Sequence, residues 1–426
     1  MTFRKYSALL KLPDWNFIAL VLIAATFVLP FRLSNLVLVI AVLTWALTGN
    51  IFNKIKTSLS KPVSWPILAF FLLHLIALLY SHNQKVGLFA IEKKLPLLIF
   101  PLIVYAADLK VTQHKLLLRI FAWSIVAASA VLLVRVAYFF FIVNNCSTCF
   151  YHDFSNVIHL HAVYFSYYAF LAALILLQDL ARSPKLLTFT AALRIFAVGI
   201  LLSALIFAAS KLVIVSLFLL LPLYLILSFS KFKIKAFLAT AVFITAAVLL
   251  ITSVDIVQDR FNVIAHDNGI KHLRIVGTNE KLSNDEKREL TGFSLRLLLV
   301  KLGLHGVDQQ RTYLLGFSPG DAQETLDRIY KKHNLAPRWF EGYNLHNQYA
   351  QTFFELGLIG LIILLSMVVS LIASASYASS QQHLLLIFAF LICFAFLSEV
   401  VLATNKGIMF FGFFYTLLTA KPTQNT

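Results

Sequence analysis

The densest run of hydrogen-bonding side chains beside an apolar stretch is Asn344-Leu345-His346-Asn347-Gln348-Tyr349, followed by Gly357-Leu-Ile-Gly360. Imidazole can take and return a proton near neutral pH, so His346 is the first candidate for a general base. Eleven residues at about 100° each return to within about 20° of the same face, so an unbroken helix would align His346, Gly357 and Gly360 on one stripe. Glycines on such a stripe permit close helix approach. With Asn344 as N-cap, His346 falls in the first turn, where free N–H groups favour anions and a neutral imidazole. The competing reading is a boundary histidine that only caps a helix.

Three other patches place polar groups beside apolar runs: Lys93-Lys94-Leu-Pro96, His161-Ala-Val-Tyr164-Phe-Ser166, and Glu399 with Lys406. Each reads either as an interfacial anchor or as part of one cation-lined outer cavity suited to a diphosphate. Arg135, inside an apolar run, needs a partner or water. Cys146-Ser-Thr-Cys149 offers a local disulfide; as a zinc site it supplies two ligands, and His152, His159 and His161 would have to converge on it. No metal or other cofactor is expected.

The elements that must position these residues follow from composition. Of 426 residues, 60% are hydrophobic and 13% charged, far from soluble usage, which makes a water-soluble fold untenable. Apolar runs predict an all-α polytopic membrane protein of about twelve transmembrane helices, near 14–30, 35–48, 64–80, 94–107, 116–143, 161–178, 194–209, 212–229, 236–253, 352–374, 383–403 and 407–419. The net charge of +17 would suggest nucleic-acid binding in a soluble chain, but here the basic residues occupy alternate connections. Lys54, Lys110, Arg182 and Lys233 mark the cytoplasmic ones, so no nucleic acid is expected and membrane lipids are the surroundings.

That alternation puts both termini inside, with the basic N-terminus reading as a retained first helix, and leaves 254–351 outside as one large periplasmic loop. The chain thus divides into helices over 1–253, the loop, and helices over 352–426, all one membrane domain. The loop carries thirteen Lys/Arg against twelve acids, and long loops cross largely regardless of charge, so the topology stands. Within it, Phe293–Leu304 predicts an amphipathic helix, and Gly316-Phe-Ser-Pro-Gly320-Asp321 a turn opening a second.

His346-Asn347, nine residues, then Gly357-x-x-Gly360 resembles the signature of bacterial O-antigen ligases and O-antigen polymerases, membrane glycosyltransferases. Other segments resemble the same family in the same order. Ser210-Lys211 stands where the family usually shows Ser-Arg, Arg296 opens a helix like its Arg-x-x-x-Trp stretch, and Leu315-Gly316 with Gly320 is similar to its Leu-Gly-x-Gly turn. The departures are Lys211 for Arg, which loses the bidentate fork, and the absence of Trp after Arg296.

The resemblance implies metal-independent transfer of a glycan from undecaprenyl diphosphate to an acceptor hydroxyl at the periplasmic face of a bacterial inner membrane. It implies His346, Arg296 and Lys211 as catalytic residues. Lys93, Lys94, His161, Tyr164, Asn347, Gln348, Arg311, Glu399 and Lys406 are candidates for binding substrate, with Gly316, Gly320, Gly357 and Gly360 structural. Lipid A core as acceptor would make a ligase, and a second lipid-linked glycan a polymerase. A lipid-linked sugar transporter or flippase would instead place ionisable groups at mid-span on broken helices, whereas the polar candidates here collect at one face.

Overall fold

The computed structural model describes residues 14–146, 148–183, 188–229, 245, 267–376 and 381–424. Sixteen α-helices are followed among them: α1 Trp15–Ala25, α2 Phe31–Leu47, α3 Ile51–Leu59, α4 Ser64–Leu78, α5 Gln84–Val104, α6 Val111–Tyr138, α7 His152–Asn156, α8 Ala162–Ala181, α9 Phe189–Ala208, α10 Lys211–Ser228, α11 Asn284–Glu289, α12 Gly292–Gln310, α13 Ala322–Lys332, α14 Gln348–Ala375, α15 Gln382–Ser398 and α16 Asn405–Thr419.

Helices apolar on every face belong inside, and two are central on that ground. Every residue of α8 from Ala162 to Leu176 is buried, as is every residue of α16 from Lys406 to Leu418. Around α8 pack α6, α9, α10 and α15; around α16 pack α5, α14 and α15. Outer helices keep apolar side chains uncovered, such as Leu36, Val39 and Leu43 on α2 and Ile362, Leu365 and Val369 on α14. Such rows suit hydrocarbon rather than water.

Four helical stretches are long and apolar enough to cross a membrane by length and composition: Val111–Val143, α8, α9 and α14. α2 and α3, bent by 110° at their junction, add a fifth as a broken pair, and α1, α4, α15 and residues 213–228 of α10 are shorter apolar helices. Of the ninth expected span, 236–253, all but residue 245 lies outside the described residues. α5 starts at Gln84, ten residues before the expected start at 94, because Asn83 caps it and Pro96 and Pro101 are accommodated inside. Lys93 and Lys94 are therefore mid-helix instead of at a helix mouth. Arg135 finds carbonyl partners in Thr148 and Asp153, and Cys146 and Cys149 are disulfide-bonded.

The large connection folds on itself. Ile275, Leu282, Leu298, Leu302, Leu326, Tyr330, Leu335 and Phe354 form a second core, separate from that of the helix bundle. Ser283 and Glu286 make a reciprocal cap on α11, and Glu286 also holds Arg274 at 2.7 Å while Glu289 holds the buried His272 at 2.7 Å.

α14 is broken at Gly357, whose backbone is left-handed (φ 63°, ψ −160°). A break frees backbone N–H and C=O groups that need partners, and residues 313–318 supply them. Leu358 N–H donates to Tyr313 O at 2.7 Å, while Phe317 and Ser318 N–H donate to Phe354 O and Glu355 O, both at 2.9 Å. Gly316, also left-handed, and Gly357 each face the other segment's backbone so closely that a Cβ on either would collide with it. Gly320 lies equally tight against Ser81 and Asn83. Asp321 then takes the His82 and Asn83 N–H groups, both at 2.8 Å. The expected glycine stripe for helix packing is thus corrected: Gly316 and Gly357 admit a loop into a helix break, while Gly360 is buried in the turn after it.

Candidate active site

Three elements bring Arg296, His346 and Glu399 together. Arg296 lies in the second turn of α12, Glu399 is the first residue beyond α15, and His346 sits in the turn that enters α14. The Arg296 Nη2 donates to Glu399 Oε1 at 2.9 Å. The other oxygen, Oε2, stands 3.8 Å from His346 Nδ1, an ion-pair separation too long for a hydrogen bond. One carboxylate thereby serves a guanidinium on one side and an imidazole on the other.

His346 is not in the first turn of α14. Asn347 is the N-cap, its Oδ1 accepting from Ala350 N–H, while Asn344 Oδ1 accepts the His346 N–H. Both asparagines could cap on local chemistry, and the one nearer the helix does. His346 itself adopts a left-handed backbone, φ 47°, which costs of order 1–3 kcal/mol for a non-glycine residue and persists only where neighbours impose it. Those neighbours are visible. Leu345 N–H is held by Gln351 Oε1 at 2.9 Å, whose Nε2 donates to Glu355, and the Tyr343 ring lies 5.8 Å from the His346 ring.

Asn347 and Gln348 spend their amides on the fold. Asn347 Nδ2 donates to Leu397 O at 3.1 Å, and Gln348 Oε1 accepts the Leu402 N–H at 2.7 Å. These two bonds rivet the His346 turn to the 397–402 segment that carries Glu399, which makes them positioning contacts. Burial alone would raise the Glu399 carboxyl, but His346 and Arg296 outweigh it and hold the group below the usual carboxylate range. The site therefore presents a carboxylate braced between a fixed cation and a base.

His161 and Tyr164 join from the mouth of α8. His161 caps that helix through Nδ1, accepting Val163 N–H at 3.3 Å, and its ring is electrostatically coupled to Glu399, His346 and Arg296. Tyr164 is buried, with its hydroxyl beside Thr404 and within the field of Glu399.

The other candidates stand elsewhere. Lys406 is buried, and its ammonium donates to Phe27 O, Leu29 O and Ser34 Oγ, tying α16 to the turn between α1 and α2. Lys94 is buried beside Glu355 and not Glu399, and Lys93 lies over the Phe89 ring at 4.3 Å. Arg311 is exposed at the C-cap of α12, about 22 Å along the helix from Arg296. Lys94 and Lys406 thus do not join the expected cation-lined cavity, because each is held by a different part of the fold, and Arg311 stands at the far end of α12. Lys211 opens α10 after Ala209, a left-handed residue, and its side chain lies outside the described residues.

Asp321 and Gln351, which hold the 313–321 turn and the His346 turn in place, were not singled out from sequence. A lone acid in a turn and a glutamine in a helix have no spacing signature; the only signal was that Asp321 closes the Gly316–Gly320 turn. Among the described residues, no three His, Cys, Asp or Glu side chains stand close enough to hold a metal ion.

A family model described as O-antigen ligase matches residues 196–365. The matched stretch includes Lys211, Arg296, Gly316, His346, Gly357 and Gly360, and it stops before Glu399. No curated protein matches the chain.

Proposed function

We propose that the chain, whose residues 196–365 match the O-antigen ligase family model, is a glycosyltransferase of that kind and moves a glycan from undecaprenyl diphosphate to an acceptor hydroxyl at the outer face of a bacterial inner membrane. The observation that carries this reading is the convergence of Arg296, Glu399 and His346. An acceptor hydroxyl must lose a proton as it attacks the anomeric carbon, and the leaving diphosphate gains charge as the glycosidic C–O bond breaks. His346 takes the proton, and Glu399, 3.8 Å away, stabilises the imidazolium that results. Arg296 has N–H groups beyond the one given to Glu399 and offers them to the diphosphate, aided by Lys211.

In this reading the charge stabilisation comes from side chains, without a metal. Activity lost in EDTA and restored by Mg²⁺ or Mn²⁺ would overturn that part.

Lipid A core is the proposed acceptor and a second lipid-linked glycan the alternative. Deletion in the host followed by glycolipid electrophoresis separates them. Undecorated lipid A core with intact lipid-linked polymer indicates ligation, and a single-repeat ladder indicates polymerisation. Complementation with Arg296→Ala should leave the deletion phenotype unchanged, and Arg296→Lys should restore it poorly. Normal glycolipids with Arg296→Ala at equal membrane levels would remove the diphosphate assignment.

A further inference from the structure

His161 has its two ring nitrogens in different surroundings. Nδ1 accepts the Val163 N–H at 3.3 Å as the N-cap of α8. A nitrogen that accepts carries no proton, so the neutral ring must hold its proton on Nε2. The ring packs 4.2 Å from that of His152 and 5.9 Å from that of Tyr164 while keeping an exposed edge. Burial and then His152, against the pull of Glu399, bring its pKa down to about 4. At neutral pH it is therefore an uncharged donor in one tautomer.

We propose that His161 is a binding residue for the diphosphate of the lipid-linked donor, its Nε2–H donating to a phosphate oxygen beside Arg296. This rests on the glycan-transfer reading of the site. A phosphate oxygen can only accept, which matches a donor locked in one tautomer, whereas a sugar hydroxyl can be served by donors or acceptors alike. The absence of charge matters as well. An imidazolium here would compete with Arg296 for Glu399, while a neutral donor adds a hydrogen bond to the anion and leaves the Arg296–Glu399 pair intact.

Capping and donating are separable by substitution. Asparagine caps helices well but ends short of the Nε2 position; glutamine reaches toward that position with an amide N–H and caps poorly. The test measures undecaprenyl diphosphate binding to the purified full-length protein in lipid nanodiscs, beside the ligand-free melting temperature. His161→Asn should melt as wild type yet bind about 10- to 100-fold more weakly, the range for a hydrogen bond to a charged group. Equal binding by wild type and His161→Asn would overturn the proposal and leave His161 a cap. If His161→Asn melts lower, His161→Gln is compared with His161→Leu, both lacking the cap: tighter binding by glutamine supports the donor role, and equal binding overturns it. A wild-type protein that melts cooperatively but does not bind undecaprenyl diphosphate overturns the donor reading itself, and this proposal with it.

Discussion

Replacing Glu399 by glutamine keeps the shape of the side chain and removes the charge on which the site is organised. The amide oxygen can still accept from Arg296 Nη2, so the 2.9 Å contact survives as a weaker bond. A hydrogen bond to a charged partner contributes about 1.5–3 kcal/mol and a neutral one about 0.5–1.5. The Arg296 side chain is 37% exposed, so the loss there is discounted to about 1 kcal/mol. The larger effect comes when His346 becomes charged in the reaction. A carboxylate near 4 Å from an imidazolium is worth about 4 kcal/mol at an effective dielectric of about 20, and partial exposure of His346 reduces this to about 2. The first term is present in the resting and transition states alike and cancels in turnover, so the second sets the effect: about 2 kcal/mol, or a fall in turnover of roughly 30-fold at about 1.4 kcal/mol per decade. The assay is single-turnover transfer from a radiolabelled lipid-linked glycan by purified protein at saturating acceptor. Because the charge is needed as the proton moves, turnover should fall far more than the Michaelis constant rises. Activity within threefold of wild type at equal protein would refute the idea that Glu399 stabilises charged His346.

Other substitutions address other parts of the argument. His346→Ala should lower turnover by about 10²–10⁴-fold with little change in donor binding if the imidazole is the base, and His346→Gln should retain more activity than alanine only if its role is to orient the acceptor; both are read in the same transfer assay. Gly357→Ala should lower the melting temperature and abolish activity, because a Cβ there meets the Leu314 backbone at a left-handed φ, whereas Gly199→Ala on α9, with open space around it, should be neutral or stabilise by up to about 1 kcal/mol; scanning fluorimetry of the two variants decides this. The Glu286 carboxyl is held at about 2, first by Arg274 and then by the Ser283 N–H. A depressed carboxylate stabilises the fold above its unfolded value near 4.5 and loses that contribution as pH falls toward 2, so proteolysis of the 267–351 segment should accelerate between those pH values, and less so in Glu286→Gln. A thiol placed at residue 284 should react with an impermeant reagent in intact cells if that segment lies outside, and reaction only after permeabilisation would reverse the topology.

His346, Arg296 and Glu399 were all nameable from sequence, and the reason differs for each. His346 and Arg296 stand in segments whose order resembles a family, while Glu399 stood out only as a charge at the end of an apolar run. That Glu399 would meet both could not be read, since its bond to Arg296 spans 103 residues of chain and no local pattern records a contact of that reach. His346 and Gly357 do not share a helical face, for a definite physical reason. Periodicity measures an uninterrupted helix, and the glycine that completed the stripe is the residue at which the helix breaks. Lysines are ambiguous in a similar way. A sequence shows that Lys406 carries a positive charge beside apolar residues, and both a diphosphate and a set of carbonyls at a turn would satisfy it; the carbonyls of Phe27 and Leu29 do so here. The residues most useful for reading chemistry were those whose charge had to be met by another charge, as Glu399 meets Arg296. The least useful were cations that backbone oxygens can neutralise, because every turn in the chain supplies such oxygens and the sequence does not say which turn is near.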